Sequence, residues 1–165
     1  MSTSEKTIER LVATCCRELL AAYGVELTEV PSSRAHSDLM LCGILGFTGD
    51  HLRGAIILAA SEGPFERSNP IPGSSVRTWC AELTNQLVGR LKNALVARGV
   101  EIYLSTPVVL RGAHLAPLPR LELLPLTYQA GDAFLCVWME LEPSPDLVLG
   151  EVVTEVASEG EAFLF

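Results

Sequence analysis

The sequence predicts an α+β domain in which two long helices pack on one face of a mostly antiparallel sheet. Two observations carry that expectation. Apolar residues recur at helical spacing near the N-terminus and again over residues 74–98. Two pairs of apolar, strand-like runs are each joined by a Gly/Asp turn.

Taken in order, Ser2 and Glu5 have the spacing of a capping box. Ile8, Leu11, Val12, Cys15, Leu19 and Tyr23 follow at helical period until Gly24 ends the helix. Residues 25–30 alternate as a strand does. Residues 38–47 and 52–60 flank Thr48-Gly49-Asp50 and read as a hairpin, with Gly43, Gly46 and Gly54 inside its strands. Prolines at 64, 70 and 72 restrict residues 61–73 to a loop or a short helical turn. The second long helix carries Val76, Trp79, Cys80, Leu83, Leu87, Leu91, Ala94 and Leu95 in one stripe and stops at Gly99. Strand-like residues 101–105 come next, then a short apolar run from Pro107 to Leu110. A second hairpin follows, residues 121–128 and 133–141 around Gly131-Asp132. An alternating stretch, 148–156, precedes an acidic end. The total is six to eight strands.

A chain of 165 residues is long enough to bury a core without metals or disulfides, and a single domain over 1–165 is expected. With 48% hydrophobic and 19% charged residues it is too apolar to be disordered. No apolar run reaches the roughly 18 to 20 residues of a membrane span, and residues 1–6 are too polar for a signal-peptide core. A cytoplasmic protein with no membrane association is the expectation. The net charge of −8, with Arg90 and Lys92 as the densest basic pair, excludes a phosphate-neutralising surface and hence nucleic acid as a partner. The five cysteines include no C-x-x-C pair and sit largely in apolar runs, where a reduced cysteine packs as a small hydrophobe. His36, His51 and His114 lie apart, none spaced with another His or Cys as ligands would be, so no metal is expected. No nucleophile elbow, Walker loop or dinucleotide fingerprint occurs.

The polar face of the second long helix is the informative feature. At about 100° per residue, Thr78, Glu82, Asn85 and Gly89 form one stripe opposite the apolar one. Glu82 and Asn85, three apart, point the same way. Gly89 costs the helix about 1 kcal/mol against alanine, which a close approach of another backbone over that face would explain. Spacing alone leaves this pair an ordinary solvated surface. A carboxamide has no useful pKa, so Asn85 can serve as neither acid, base nor nucleophile, although it can hold a water. Such a group is useful only where a phosphoryl group and its metal come from elsewhere.

The segment from Glu82 to Asn93, ELTNQLVGRLKN, resembles the E-x-x-N-x-x-x-G-x-x-K helix of the CheC/CheX phosphatases. Residues 43–58 (GILGFTGDHLRGAIIL) are similar to the glycine-rich hairpin that precedes that helix in the family, and 104–112 (LSTPVVLRG) to the proline-containing strand region after it. The likeness spans about residues 38 to 112, and the tail from about 147 has no counterpart in it. Thr78 stands where the pattern carries Asp or Ser, and Arg90 interrupts the apolar stripe as an edge residue.

The resemblance implies a CheC/CheX-like fold and a phosphatase for the phospho-aspartate of a CheY-like receiver domain. In that picture Asn85 positions the hydrolytic water and Glu82 pairs with the receiver's active-site lysine. Thr78 and Gly89 are then partner-contact positions. The phosphorylated response regulator brings the Mg²⁺, and the chain has no cofactor of its own. One motif, not two, is similar to CheX and implies a homodimer. The competing reading is a non-catalytic receiver-binding or adaptor domain on the same fold.

Overall fold

A computed structural model describes residues 1–32, 38–119 and 123–152. The N-terminal helix α1, Thr3–Ala22, begins with the capping box: the Ser2 hydroxyl accepts from the Glu5 backbone N–H at 3.2 Å, and Glu5 accepts from the Ser2 N–H. It ends in a left-handed turn at Gly24, φ 78°, where Val25 N–H reaches back to Leu20 and Gly24 N–H to Ala21. Ile8, Val12, Cys15 and Leu19 are buried as the periodicity requires. Cys16 and Leu20, adjacent to that stripe, are buried too, while Leu11 and Tyr23 are partly covered.

Among the described residues there are seven strands: β1 Thr28–Val30, β2 Leu41–Thr48, β3 Leu52–Ala60, β4 Tyr103–Leu104, β5 Val108–Arg111, β6 Leu126–Ala130 and β7 Ala133–Pro143. Their order across the sheet is β1-β6-β7-β3-β2-β4, with β5 also on β2, and every pairing is antiparallel. Both expected hairpins form. β2 and β3 pair from Leu41↔Ala60 to Phe47↔Gly54, and β6 and β7 from Leu126↔Val137 to Ala130↔Ala133.

The short helical turn allowed within 61–73 is a seven-residue helix, α2 (Glu62–Ser68), in which Pro64 falls in the first turn, where a missing N–H breaks no helical bond. Two expectations are corrected. Of the strand expected over 121–128, residues 121–122 lie outside the described residues, 123–125 form no strand, and the ladder begins at Leu126, directly after Pro125, which has no N–H for it. Residues 148–152 form no strand, and 153–156 lie outside the described residues. Leu147 nonetheless stays buried, with the Gly150 N–H bonded to the Arg98 carbonyl.

The helices share one face of the sheet. The third, α3, Val76–Val96, buries Trp79, Cys80, Leu83, Leu87, Leu91 and Leu95, and with them Thr84 and Val88. Against α1 and α3 stand Leu41, Leu45, Phe47, Ile56, Leu58, Leu135, Val137 and Met139, alternate residues of β2, β3 and β7. The intervening residues Cys42, Ile57, Ala59, Cys136 and Trp138 form a smaller apolar cluster on the other face, partly covered by Leu115. Burial on both faces is why β3 and β7 read as continuous apolar runs. Among the described residues no helix is long and apolar enough to cross a membrane.

Candidate functional site on the exposed face of α3

The position of α3 is set by its contact with β2. At Gly43 a Cβ would lie 2.0 Å from Thr84 Oγ1 and 3.3 Å from the Cys80 carbonyl, so only a glycine lets the helix come this close. Thr84 is fully buried, and its hydroxyl donates to the Cys80 carbonyl at 2.7 Å. Two residues back, about 200° around the helix, Glu82 points away from the sheet. The same turn that docks Thr84 on the strand thus presents Glu82 outward.

Glu82, Asn85 and Thr78 are exposed and Gly89 is half-buried, so the four sequence-selected residues do share one surface stripe. Thr78 sits in the first turn, its N–H capped by the Ser75 hydroxyl at 3.4 Å. The Asn85 carboxamide has no hydrogen-bond partner among the described residues and is free to take one from outside. Nothing lies within 4 Å of a Cβ built on Gly89. The close approach expected over that glycine is therefore not made by any other described part of this chain. Further along the stripe, the Lys92 ammonium stands 5.8 Å from the ring centroid of exposed Tyr103. Arg90, at the edge of the apolar stripe, is exposed.

Glu82 is not left loose. Gln86 Nε2 donates to Glu82 Oε1 at 2.8 Å, and the Tyr23 hydroxyl donates to Gln86 Oε1 at 2.9 Å. Sequence reading passed over both residues. The i,i+4 spacing of Glu82 and Gln86 could have marked the first, whereas Tyr23 arrives only through the packing of α1 on α3.

The stripe is an exposed helix face; the clefts beside Arg67 and Asp132, and beside Glu5, Glu9 and Glu29, are lined by other elements. Among the described residues no three His, Cys, Asp or Glu side chains converge to hold a metal. All five cysteines are buried, and burial pushes the thiols up, to about 12 for Cys16 and Cys80 and about 11 for Cys42 and Cys136. None is a nucleophile near neutral pH. What this face offers is one carboxylate acceptor, one free carboxamide and an uncovered stretch of helix.

No protein-family sequence model matches the chain, and no curated protein matches it in sequence. Solved structures do match. Chemotaxis protein CheX from Vibrio vulnificus aligns over 82% of this chain and 96% of its own, with a TM-score of 0.70 at 18% identity. A CheC-like superfamily protein from Shewanella sp. PV-4 aligns over 86% and 99%, again at 0.70 and 18%. CheX in the CheX–CheY–BeF₃–Mg²⁺ complex from Borrelia burgdorferi aligns over 83% and 96%, at 0.57 and 13%. The described helices packed on an antiparallel sheet therefore have the fold of the CheC/CheX chemotaxis proteins.

Proposed function

We propose that this chain is a phosphatase acting on the phospho-aspartate of a CheY-type receiver domain. The observation that carries the reading is the exposed face itself. Glu82 and Asn85 stand exposed, three residues apart, on a helix locked to the sheet, with uncovered Gly89 one turn beyond Asn85. A single exposed helix face of this kind can be presented to the active site of another protein.

In the complex, Asn85 would hold the attacking water in line with the phosphorus through its carboxamide, which both donates and accepts. Glu82 would form a charge-assisted hydrogen bond to the receiver's active-site lysine. Gly89 would let the receiver's backbone approach the helix, and Thr78 would line the near end of the contact. The receiver supplies the acyl phosphate and the Mg²⁺; this chain supplies geometry. The fold shared with CheX, which has been captured with CheY, BeF₃ and Mg²⁺, supports the choice of partner.

The reading carries with it the cytoplasmic location expected from the sequence and a homodimer. Exposed Tyr103, Val108 and Leu110 on β4 and β5, at the β2 side of the sheet, are apolar surface that a second copy would cover.

The deciding experiment follows decay of a phosphorylated CheY-type receiver with this protein at a catalytic ratio. Faster decay with multiple turnovers supports the phosphatase. Binding that leaves the phosphoryl lifetime unchanged or longer would establish the adaptor reading in its place.

A further inference from the structure

We propose that Gln86 is a positioning residue for Glu82, held in its own orientation by Tyr23, so that α1 braces the partner-binding carboxylate of α3. The proposal rests on the receiver-phosphatase reading and adds to it Gln86, at an unspecified position of the resemblance pattern, and Tyr23, outside the segment.

A glutamate on an exposed helix face samples many rotamers, and a partner that fixes it loses affinity to that ordering. Here the carboxylate is ordered in advance. An ionised carboxylate only accepts, so Gln86 must present its NH₂ to Glu82 Oε1, at 2.8 Å. Its own Oε1 then faces Tyr23, whose hydroxyl must donate, at 2.9 Å. The three groups have one consistent set of donors and acceptors. Glu82 Oε2 has no partner among the described residues and stays open for an ammonium group.

The brace is anchored inward. Tyr23 caps the C-terminus of α1, and its ring meets Trp79 edge-on, centroids 4.8 Å apart at 80°. The Trp79 indole N–H donates to the Ser68 hydroxyl at 2.9 Å, and that hydroxyl donates to the Phe65 carbonyl at 3.2 Å. Burial deepens along the chain, from exposed Glu82 through half-buried Gln86 and Tyr23 to Trp79 and Ser68, at 7% and 1% exposure. A Glu/Gln pair at i,i+4 alone would only support the helix. Tyr23, 63 residues before Gln86, converts a local pair into a fixed one.

The test titrates a CheY-type receiver, loaded with beryllofluoride and Mg²⁺, into the full chain and its variants, with a thermal melt of each. Gln86→Met removes the amide at similar volume, and Tyr23→Phe removes only the hydroxyl. Gln86→Met is expected to weaken binding about 3- to 10-fold. Tyr23→Phe should act in the same direction by less, with turnover at saturation retained and little change in Tm. In a Glu82→Ala background neither change should weaken binding further, since the group being positioned is gone. Wild-type affinity for Gln86→Met beside a weakened Glu82→Ala refutes the brace and leaves the phosphatase reading intact. An equal loss from Gln86→Met with and without Glu82 also refutes it, because Gln86 then acts independently of the carboxylate. An unaffected Glu82→Ala removes the assignment beneath both. Gln86→Leu repeats the test should the methionine variant lose its fold.

Discussion

Gly43 of β2 lies directly beneath Thr84 of α3, so close that any Cβ at residue 43 would fall 2.0 Å from the threonine Oγ1. Gly43→Ala is therefore expected to push the helix off the sheet and cost about 1 to 3 kcal/mol, as overpacking of a core does. Gly43→Ala/Thr84→Ala should recover part of the loss, because the hydroxyl is the nearest obstacle. It should not recover all of it, since an alanine keeps the Cβ of residue 84, 3.0 Å away, and the Cys80 carbonyl remains at 3.3 Å. Chemical denaturation of the two variants and of Thr84→Ala checks the coupling.

The two side chains of the exposed face should fail in different ways. Glu82→Ala is expected to weaken the complex with a beryllofluoride-activated receiver. Asn85→Ala is expected to bind nearly as well but to turn over on the order of 10²-fold more slowly, the loss of a contact made in the transition state. Both positions are exposed, so stability should stay within about 0.5 kcal/mol of wild type. Full turnover by Asn85→Ala at saturation would transfer the chain to the adaptor reading.

Gly89 separates stability from function. A Cβ at residue 89 meets no described atom within 4 Å, so Gly89→Leu should stabilise α3 by about 0.5 to 1 kcal/mol. The same leucine would stand where the receiver backbone is to approach, and binding should fall. A variant that melts higher yet binds the activated receiver as wild type does would show that the partner docks elsewhere.

Assembly is open to direct measurement. Sedimentation at micromolar concentration should show twice the 17.8 kDa protomer mass. Val108→Asp, which puts a charge on an exposed apolar strand, should return the protein to protomers without unfolding it. A wild-type protein that sediments only at 17.8 kDa contradicts the dimer.

Alkaline pH should destabilise the fold before acid chemistry of the thiols has any functional meaning. Burial raises Cys16 and Cys80 from 9.0 to about 12, and Cys42 and Cys136 to about 11. The folded state thus keeps protons that the unfolded state releases above pH 9. This contribution to stability is complete below pH 9 and is lost as pH rises toward 11 to 12. Tm should fall progressively from pH 9 upward, and thiol reagents at pH 8 should label the protein only at its unfolding rate. Rapid labelling of the native protein at that pH would contradict the burial.

Much of this protein was determined by residues close together in the chain. The 3.6-residue stripes of α1 and α3, the Ser2/Glu5 box, Gly24, and the turns at Thr48-Gly49-Asp50 and Gly131-Asp132 are local features, and a sequence displays them directly. The outward stripe of Thr78, Glu82, Asn85 and Gly89 follows from the same periodicity. Even there, the local pattern misplaced β6, because a short apolar run does not by itself say on which side of Pro125 a ladder begins.

Tertiary structure alone decided what depends on residues far apart. It put β1 beside β6 and β5 beside β2, pairings between segments that no periodicity connects. It buried Thr84, polar in the sequence, because Gly43 of another element left room for it. It showed that the space over Gly89 is unfilled by the described chain, where sequence could register only the cost of a helical glycine. It also joined Tyr23 to Gln86 and so to Glu82, since the orientation of an exposed carboxylate is set by whichever neighbours the fold brings to it.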